Sequence, residues 1–200
     1  MTTGFVDGKL EARATALEKK IFGLKKRLSA LRLKGKPRAV PDYEFRRHDG
    51  RPMRLSQAFG KHGDLVVVHN MGTGCPYCTL WADGFVSLLP HLQDRAGFLV
   101  VSQDPPAKQK AFAKSRGWTF PMASSGGTTF FLDMDFADRK GNVCPGFTTF
   151  RKNGKRIERV ASRYFGPGDD FCSVWHFFDL LAGGAKDWHP KFKYSGGPKN

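Results

Sequence analysis

The sequence predicts an α/β domain, a three-layer α/β/α sandwich with a mixed central sheet, preceded by a long N-terminal amphipathic helix. Two apolar runs, 65–69 and 98–102, each precede a predicted helix, which is the alternation typical of α/β proteins. Two extended runs then flank Asn153-Gly154, the strongest short-range signal for a β-hairpin. Helices must cover both faces of such a sheet, and this gives three layers.

The N-terminal helix is predicted over Gly8–Leu33, because its apolar residues recur in alternating steps of four and three, the spacing of a heptad seam. Gly23 weakens this helix by about 1 kcal/mol relative to alanine. A parallel pair of such helices would oppose like charges at two of three flanking contacts, and an antiparallel pair would oppose cations along one flank. The seam consists of Leu10, Ala14, Leu17, Ile21, Leu24, Leu28 and Leu31.

Three roles remain open for this helix. It could pack on the chain's own domain, or hold a second subunit in a homodimer. The simplest alternative is an ordinary amphipathic helix with a solvated basic face.

Two strands and a helix are predicted in the first half of the domain. Tyr43–Phe45 should be a short strand that leads into a turn at 49–52. The nearly all apolar run Leu65–His69 should be a central strand buried on both faces. The helix Thr79–Leu92 should bury one apolar face, and Pro90 should kink or shorten its last turn.

The second half should add a strand, a helix, a hairpin and a closing helix. Gly117 should stop a helix that begins at Pro105 or Pro106. Asp169 or Asp170 should cap the last helix. The remaining elements are the strand Phe98–Ser102, the extended segments Trp118–Met122 and Phe130–Phe136, the hairpin strands Phe147–Arg151 and Arg156–Ala161, and the closing helix Phe171–Leu181.

The net charge of +15 lies mostly at the two ends of the chain. Residues 1–40 hold eleven Lys or Arg against three Asp or Glu, and residues 183–200 hold four Lys against one Asp. We therefore divide the chain into a basic helix with its linker at 1–38, the α/β domain at 39–182, and a basic tail at 183–200 that we expect to be loosely ordered. No base-reading motif accompanies the charge, so nucleic acid should bind only through non-specific electrostatics.

The composition favours a cytoplasmic protein without a membrane partner. No apolar run approaches the ~18 residues that would cross a bilayer, and the charged N-terminus lacks the apolar stretch of a secretory signal. Four cysteines in 200 residues are too few for a disulfide-stapled secreted scaffold. In the cytoplasm, closely spaced cysteines are more often reactive or metal-binding than structural.

The most informative feature is the tetrapeptide Cys75-Pro76-Tyr77-Cys78, which lies between a predicted strand and a predicted helix. The free N–H groups and the positive dipole end of a helix N-terminus favour a thiolate and lower the pKa of the first cysteine. The second sulfur is then close enough to close a disulfide and release a mixed-disulfide partner. This arrangement is typical of thiol–disulfide exchange.

The alternatives for this pair are two structural thiols or half of a zinc site. A four-cysteine zinc site usually has a second closely spaced pair, whereas Cys144 and Cys172 are single and 28 positions apart. We therefore expect neither a metal nor a cofactor. Cys144, and Cys172 with His176 at a helical spacing, could be third redox thiols or ligands, and buried thiols in an aromatic core are favoured.

Several separated motifs resemble known proteins. The order of strand, Cys-x-x-Cys and helix, followed by a late proline, strand and Asn-Gly hairpin, resembles the thioredoxin superfamily, and Cys-Pro-Tyr-Cys itself is typical of glutaredoxins. More closely, the chain resembles the bacterial domain-of-unknown-function family 899, a thioredoxin-like group, from about residue 10 to about residue 195. The matching stretches are LEKK and LKKRL, PDYEF, LVVVHNMGTGCPYCTLWADGF, GWTFPMASS, PGFTTFRKNG and SRYFGPGDD.

This resemblance implies roles for individual residues. Cys75 matches the nucleophilic cysteine and Cys78 the resolving one. Pro145 matches the proline, usually cis, that precedes the strand facing the active-site disulfide, although a gapless alignment places that proline on Gly146. The simpler alternative for Pro145 is a proline that begins a strand.

His69 lies six residues before Cys75, where thioredoxins carry a buried acid that helps to deprotonate the resolving cysteine. A histidine there would act as a base through a water, whereas the simpler alternative is a strand-end histidine held by hydrogen bonds. The resemblance also marks Trp81 and Asp83 near the site. Packing in the first helical turn would explain the presence of these two residues equally well. The residues expected to meet the substrate are Pro76, Tyr77, Trp81, Pro145 and Gly146.

The function that follows is a thiol–disulfide oxidoreductase acting on protein or small-molecule disulfides. A peroxiredoxin-like peroxidase is a second enzymatic alternative, although Gly72 stands three residues before Cys75, where peroxidases carry threonine. The non-catalytic alternative is a binding or assembly module whose basic helix holds a partner or a second copy. Glutathione specificity, which the tetrapeptide alone would suggest, does not follow in this longer chain.

Overall fold

The computed structural model describes residues 7–195. Residues 1–6 and 196–200, the outer ends of the predicted helical region and of the predicted basic tail, lie outside the described residues. The chain divides after Pro37 into two compact units. None of the helices within 7–195 has both the length and the apolar character needed to cross a membrane.

The first unit contains the predicted helix, α1, at Gly8–Leu33. The carboxylate of Asp7 caps its N-terminus by accepting hydrogen bonds from the N–H groups of Lys9 and Leu10. None of the helix side chains is buried, and the leucines and isoleucine of the predicted seam are 41–64% exposed. The helix therefore exists as predicted, with its apolar seam open.

The second unit is built on one mixed sheet of eight strands. In chain order these are β1 Arg38–Val40, β2 Glu44–Arg47, β3 Pro52–Arg54, β4 Asp64–His69, β5 Gly97–Ser102, β6 Met122–Ser124, β7 Gly146–Asn153 and β8 Arg156–Tyr164. Their order in the sheet is β1-β8-β7-β4-β5-β6-β2-β3. The neighbours β4, β5 and β6 are parallel, whereas β7 pairs antiparallel with both β4 and β8.

Helices cover both faces of this sheet, which confirms the three predicted layers. On one face lie α2, Pro76–Arg95, α3, Pro106–Arg116, and the short α5, Val174–Phe178. On the other face lie a 3₁₀ helix, Leu55–Phe59, and the short α4, Phe130–Asp133. The sheet therefore separates two aromatic-rich cores, one on each of its faces.

The central strand β4 contributes to both cores, because successive side chains of a strand point to opposite faces. Val66 and Val68 pack on the side of α2, whereas Leu65 and Val67 pack on the side of α4. His69 points to the same face as Leu65 and Val67, and its ring stacks on aromatic rings of the core on the α4 side. The strand thus brings a histidine to the edge of the sheet where α2 begins.

The hairpin forms with its turn one residue later than the predicted Asn153-Gly154, and α3 ends where its sequence signal predicts. Asn153 pairs with Arg156 across the hairpin, so the two-residue loop is Gly154 and Lys155. Gly154 has a φ of +60°, a left-handed conformation that glycine adopts without strain. Gly117 ends α3 in the same region, with a φ of +66°.

Four predicted elements are wrong in type or length. Of the predicted extended segment Trp118–Met122, only Met122 lies in a strand, β6. Phe130, Phe131 and Met134 are buried at the spacing of one helix face, so the segment predicted as extended contains α4. α2 continues through Pro90 to Arg95, past the predicted shortening. α5 covers only the middle of the predicted closing helix. Its N-cap is Ser173 and its C-cap is Asp179.

The segment after α5 is packed, contrary to the loose order expected of the basic tail. Trp188 packs its ring on Trp175, at 5.5 Å between centroids, and on Phe178, at 4.8 Å. Pro190 is buried. These apolar contacts, rather than regular secondary structure, hold the segment on the domain.

Candidate active site

The loop between β4 and α2 is held by two polar side chains. The side-chain oxygen of Asn70 accepts a hydrogen bond from the Gly72 N–H at 2.8 Å, and Asp104 accepts one from the Thr73 N–H at 2.7 Å. Gly72 has a φ of +110° and lies against the Asp104 carboxylate, so only glycine fits there without strain. This loop delivers Cys75 to the N-cap position of α2.

The pKa values of the two thiols of the tetrapeptide are shifted in opposite directions. The Cys75 sulfur accepts the Cys78 N–H at 3.0 Å. A hydrogen bond from the Cys78 thiol lowers the pKa of Cys75 to about 7; burial opposes this, while the backbone N–H groups of Cys78 and Tyr77 assist it. The same thiol contact, together with burial, raises the pKa of Cys78. Cys75 is therefore the thiol of the pair that ionises more readily, and Cys78 is the partner that keeps its proton; their exposures are 8% and 3%.

All four cysteines are free thiols, and the two outside the tetrapeptide differ in their surroundings. Cys172 is buried in the aromatic core, and burial raises its pKa. Cys144 is exposed, so the buried position favoured for it is wrong. His176 lies 4.0 Å from Asp170, and within 7–195 no group of three His, Cys, Asp or Glu side chains is arranged to hold a metal.

Pro145 and Gly146 lie at the same edge of the sheet as the tetrapeptide, because Gly146 pairs with His69 at the end of β4. The peptide bond before Pro145 is trans, as are all those described within 7–195, which agrees with the simpler alternative of a proline placed just before a strand. A side chain at Gly146 would overlap the Arg163 carbonyl and the Phe136 ring. Glycine is required there by close packing, and the position is buried.

His69 is fully buried and takes the structural role that the simpler alternative described. Its ring stacks on Phe136, at 3.9 Å between centroids and 11° between planes, and on Phe130 at 5.2 Å. Its Nε2 lies 2.9 Å from the Thr148 hydroxyl, and its Nδ1 has no partner among the described residues. Burial, and to a smaller extent Arg159, hold its pKa well below the ordinary value. The imidazole is therefore neutral, and its hydrogen bond goes to Thr148 rather than to a thiol.

Trp81 is buried in the first half of α2, facing the loop that leads to α5. Its indole N–H lies 3.1 and 3.3 Å from the two carboxylate oxygens of Asp169, and its ring stacks on Phe165 at 5.5 Å. Asp169 also accepts the N–H groups of Gly166 and Phe171. This aspartate therefore organises the loop rather than capping α5, and Trp81 has little surface to offer a substrate.

Asp83 joins α2 to the end of α3. Its carboxylate forms an ion pair with Arg116 and accepts the Trp118 indole N–H at 2.8 Å. Both Trp81 and Asp83 are thus explained by packing of the first helical turns.

Sequence reasoning missed the contact made by Tyr77. Its hydroxyl lies 2.7 Å from the Nδ1 of His189, and its ring stacks over Trp175 at 6.3 Å. Trp188 in turn meets the Trp175 ring edge-on at 5.5 Å. The only sequence signal was the density of aromatic residues in the C-terminal forty positions, which does not identify their partner.

Solved structures similar to this chain include several peroxiredoxins. Peroxidoxin BcpB from Mycobacterium tuberculosis is 27% identical, with a TM-score of 0.53, and the match covers 64% of this chain and 84% of that one. A cysteine variant of PrxQ from Xylella fastidiosa is 17% identical, with a TM-score of 0.55 and coverage of 65% and 85%. Peroxiredoxin Q from Xanthomonas campestris is 22% identical, with a TM-score of 0.50 and coverage of 62% and 80%. The second unit therefore has a thioredoxin-like fold.

At the level of sequence, residues 10–195 match the family described as bacterial protein of unknown function, DUF899. The match spans both units and confirms the resemblance drawn from the separated motifs. Among proteins of curated function, no sequence matches this chain.

Proposed function

We propose that this chain, which belongs to the DUF899 family of bacterial proteins, is a thiol–disulfide oxidoreductase that uses Cys75 as nucleophile and Cys78 as resolving thiol. One observation carries the proposal: Cys75 caps α2 and accepts the Cys78 N–H, which stabilises its thiolate near neutral pH. The thioredoxin-like fold and the peroxiredoxin neighbours support thiol chemistry at this position.

The proposed reaction has two steps. The Cys75 thiolate attacks one sulfur of a substrate disulfide, a mixed disulfide forms, and the other substrate sulfur leaves as a thiolate that takes up a proton. The Cys78 thiol then attacks the Cys75 sulfur, and its proton passes through solvent to the departing substrate sulfur. The internal Cys75–Cys78 disulfide forms and the second substrate thiol leaves. Two electrons pass from the protein to the substrate, and an external dithiol must restore the protein.

A thiol peroxidase is the second candidate, and the likeness to peroxidoxin BcpB favours it. In that case Cys75 attacks a peroxide oxygen, forms a sulfenic acid and releases water or an alcohol. The Cys78 thiol would then close the same disulfide and release water. Gly72, three residues before Cys75, remains the sequence feature against this candidate.

One assay separates the candidates. Reduced protein is mixed with hydroxyethyl disulfide or with hydrogen peroxide, and closure of the Cys75–Cys78 disulfide is followed by mass spectrometry. Faster closure with the disulfide supports the oxidoreductase, whereas closure only with peroxide supports the peroxidase. Cys75→Ser should abolish both reactions, and Cys144→Ser, which removes the exposed thiol, is the matched control. A wild-type protein that reacts with neither probe would contradict both and favour the binding module.

Location and partners complete the proposal. We place the protein in the cytoplasm, where reduced thiols persist; its four free cysteines are compatible with that location. The partners are a disulfide-bearing protein or small thiol compound, without a membrane and with only non-specific attraction to nucleic acid. The open seam of α1 supports a homodimer, which sedimentation of wild type and Leu24→Lys would test. A monomeric wild type would contradict it.

A further inference from the structure

The C-terminal strap, defined here as Asp179–Ser195, crosses the face of the domain beside the dithiol. It leaves α5 and packs Trp188 against Trp175 and Phe178. Pro190 is then buried, although the residues that follow it are exposed. The strap is thus anchored by apolar contact before it reaches α2 and α3.

The middle of the strap meets the tetrapeptide itself. The His189 Nδ1 lies 2.7 Å from the hydroxyl of Tyr77, the residue immediately before Cys78, and the two rings are 6.3 Å apart in an edge-on arrangement. The Tyr77 ring also stacks on Trp175 and lies 6.2 Å from Trp81. Tyr77 is therefore engaged by the chain's own aromatic residues, and its side chain is half-buried.

The far end of the strap is tied to α3. The Phe192 carbonyl accepts a hydrogen bond from Arg116 at 2.8 Å, and the Phe192 ring meets Phe112 edge-on at 6.0 Å. Arg116 is itself fixed by its ion pair with Asp83 of α2. The strap is thus held on both sides of its contact with Tyr77.

We propose that the C-terminal strap makes the dithiol selective for low-molecular-weight disulfides and excludes disulfides of folded proteins. This inference rests on the proposed function and names its substrate class. Thiol–disulfide exchange needs in-line approach of a disulfide to the attacking sulfur, and Cys75 is only 8% exposed. A folded protein must also lay its own chain against the surface around that sulfur. The strap already occupies the Tyr77 side of that surface through the contact between His189 and Tyr77, whereas a small disulfide needs to reach only the exposed part of Cys75.

The first test compares two substrates in two variants. The double variant His189→Ala, Phe192→Ala removes the strap's contacts to Tyr77 and Phe112. Phe177→Ala is the matched control, because that ring is 68% exposed on α5. Rates are measured with hydroxyethyl disulfide and with insulin. We expect the insulin rate relative to the small-disulfide rate to rise about tenfold in the double variant and to stay constant in the control. An unchanged ratio, or a wild type equally fast with both, overturns the proposal.

The second test needs no redox activity, so it separates failure of the strap from failure of the proposed function. In a Cys144→Ser background, Cys75 is alkylated with iodoacetamide or with a 5-kDa polyethylene glycol maleimide, and labelling is followed by mass spectrometry. In the double variant, the rate of Cys75 labelling by the bulky reagent should increase about tenfold more than the rate of labelling by the small one. If the labelling rates of the two reagents increase equally, the strap does not screen the site. If neither probe is reduced but the labelling ratio shifts, the strap screens Cys75 sterically, while the oxidoreductase function fails and the proposed substrate class with it.

Discussion

The N–H of Cys78 donates a hydrogen bond to the sulfur of Cys75 over 3.0 Å, and Cys75 is the residue that caps α2. A charged acceptor gains about 1.5–3 kcal/mol from such a bond, more than a neutral acceptor does. The contact therefore favours the thiolate over the thiol at one end of the pair.

The reactivity of Cys75 should rise with pH through a midpoint near its pKa of about 7. Only the thiolate is alkylated, so the rate should fall about tenfold for each pH unit below the midpoint and level off above it. The measurement is the iodoacetamide rate of Cys75 between pH 5 and 10, in a Cys144→Ser background. In Cys78→Ala, which loses the thiol donor, the midpoint should move upward. A midpoint near the ordinary ~8.5 in the wild type would contradict the thiolate assignment.

Asp169→Ala should lower the free energy of unfolding by about 2–4 kcal/mol, because it removes the acceptor of the buried Trp81 indole and of two backbone N–H groups. Urea unfolding followed by tryptophan fluorescence measures the loss. Asp94→Ala is the control, since Asp94 is an exposed residue of α2. That variant should change stability by less than about 0.5 kcal/mol. Equal losses would show that the Trp81 contact is unimportant.

Gly146→Ala should destabilise the domain by about 1–3 kcal/mol, the usual cost of overpacking, because the new methyl group would overlap the Arg163 carbonyl and the Phe136 ring. Gly166→Ala is the control, since a Cβ at Gly166 would meet nothing within 4 Å. Thermal unfolding of both variants measures the difference. A Gly146→Ala protein as stable as its control would mean that the strand edge can move apart to admit a side chain.

The buried, neutral His69 should make the protein less stable in acid. Its pKa in the folded state lies below the ~6.5 of the unfolded chain, so below pH ~6.5 the unfolded state binds more protons. The free energy of unfolding should therefore fall by up to about 1.4 kcal/mol per pH unit as pH drops from ~6.5 toward the folded pKa.

His69→Phe keeps an aromatic ring in the stack on Phe136 and removes the proton site. Urea unfolding at pH 8 and pH 5 should show a smaller pH-dependent loss for this variant than for the wild type. It should be less stable at pH 8 by about 1 kcal/mol, because Thr148 loses a partner. Equal losses in both proteins would assign the acid sensitivity to other groups.

Local patterns predicted much of the fold. β4, the hairpin of β7 and β8, and the start of α3 depend on apolar runs, on Asn-Gly and on proline, which act within a few residues. The segment of α4 was misjudged because a run of three or four apolar residues is compatible with strand or helix until its buried face is known. α2 extends beyond its predicted end, because tertiary packing of its apolar face offsets the local free-energy cost of placing Pro90 inside a helix.

By itself the sequence determined that a dithiol stands at the N-terminus of a helix, because strand, cysteine pair and helix are adjacent in the chain and the helix dipole acts locally. The tertiary structure decided which groups surround that dithiol. His189 reaches Tyr77 across 112 positions, and Asp169 reaches Trp81 across 88. No local pattern encodes such contacts, since they arise only when burial of the aromatic cores brings distant segments together. Whether the reactive tetrapeptide is open or covered was therefore a property of the fold.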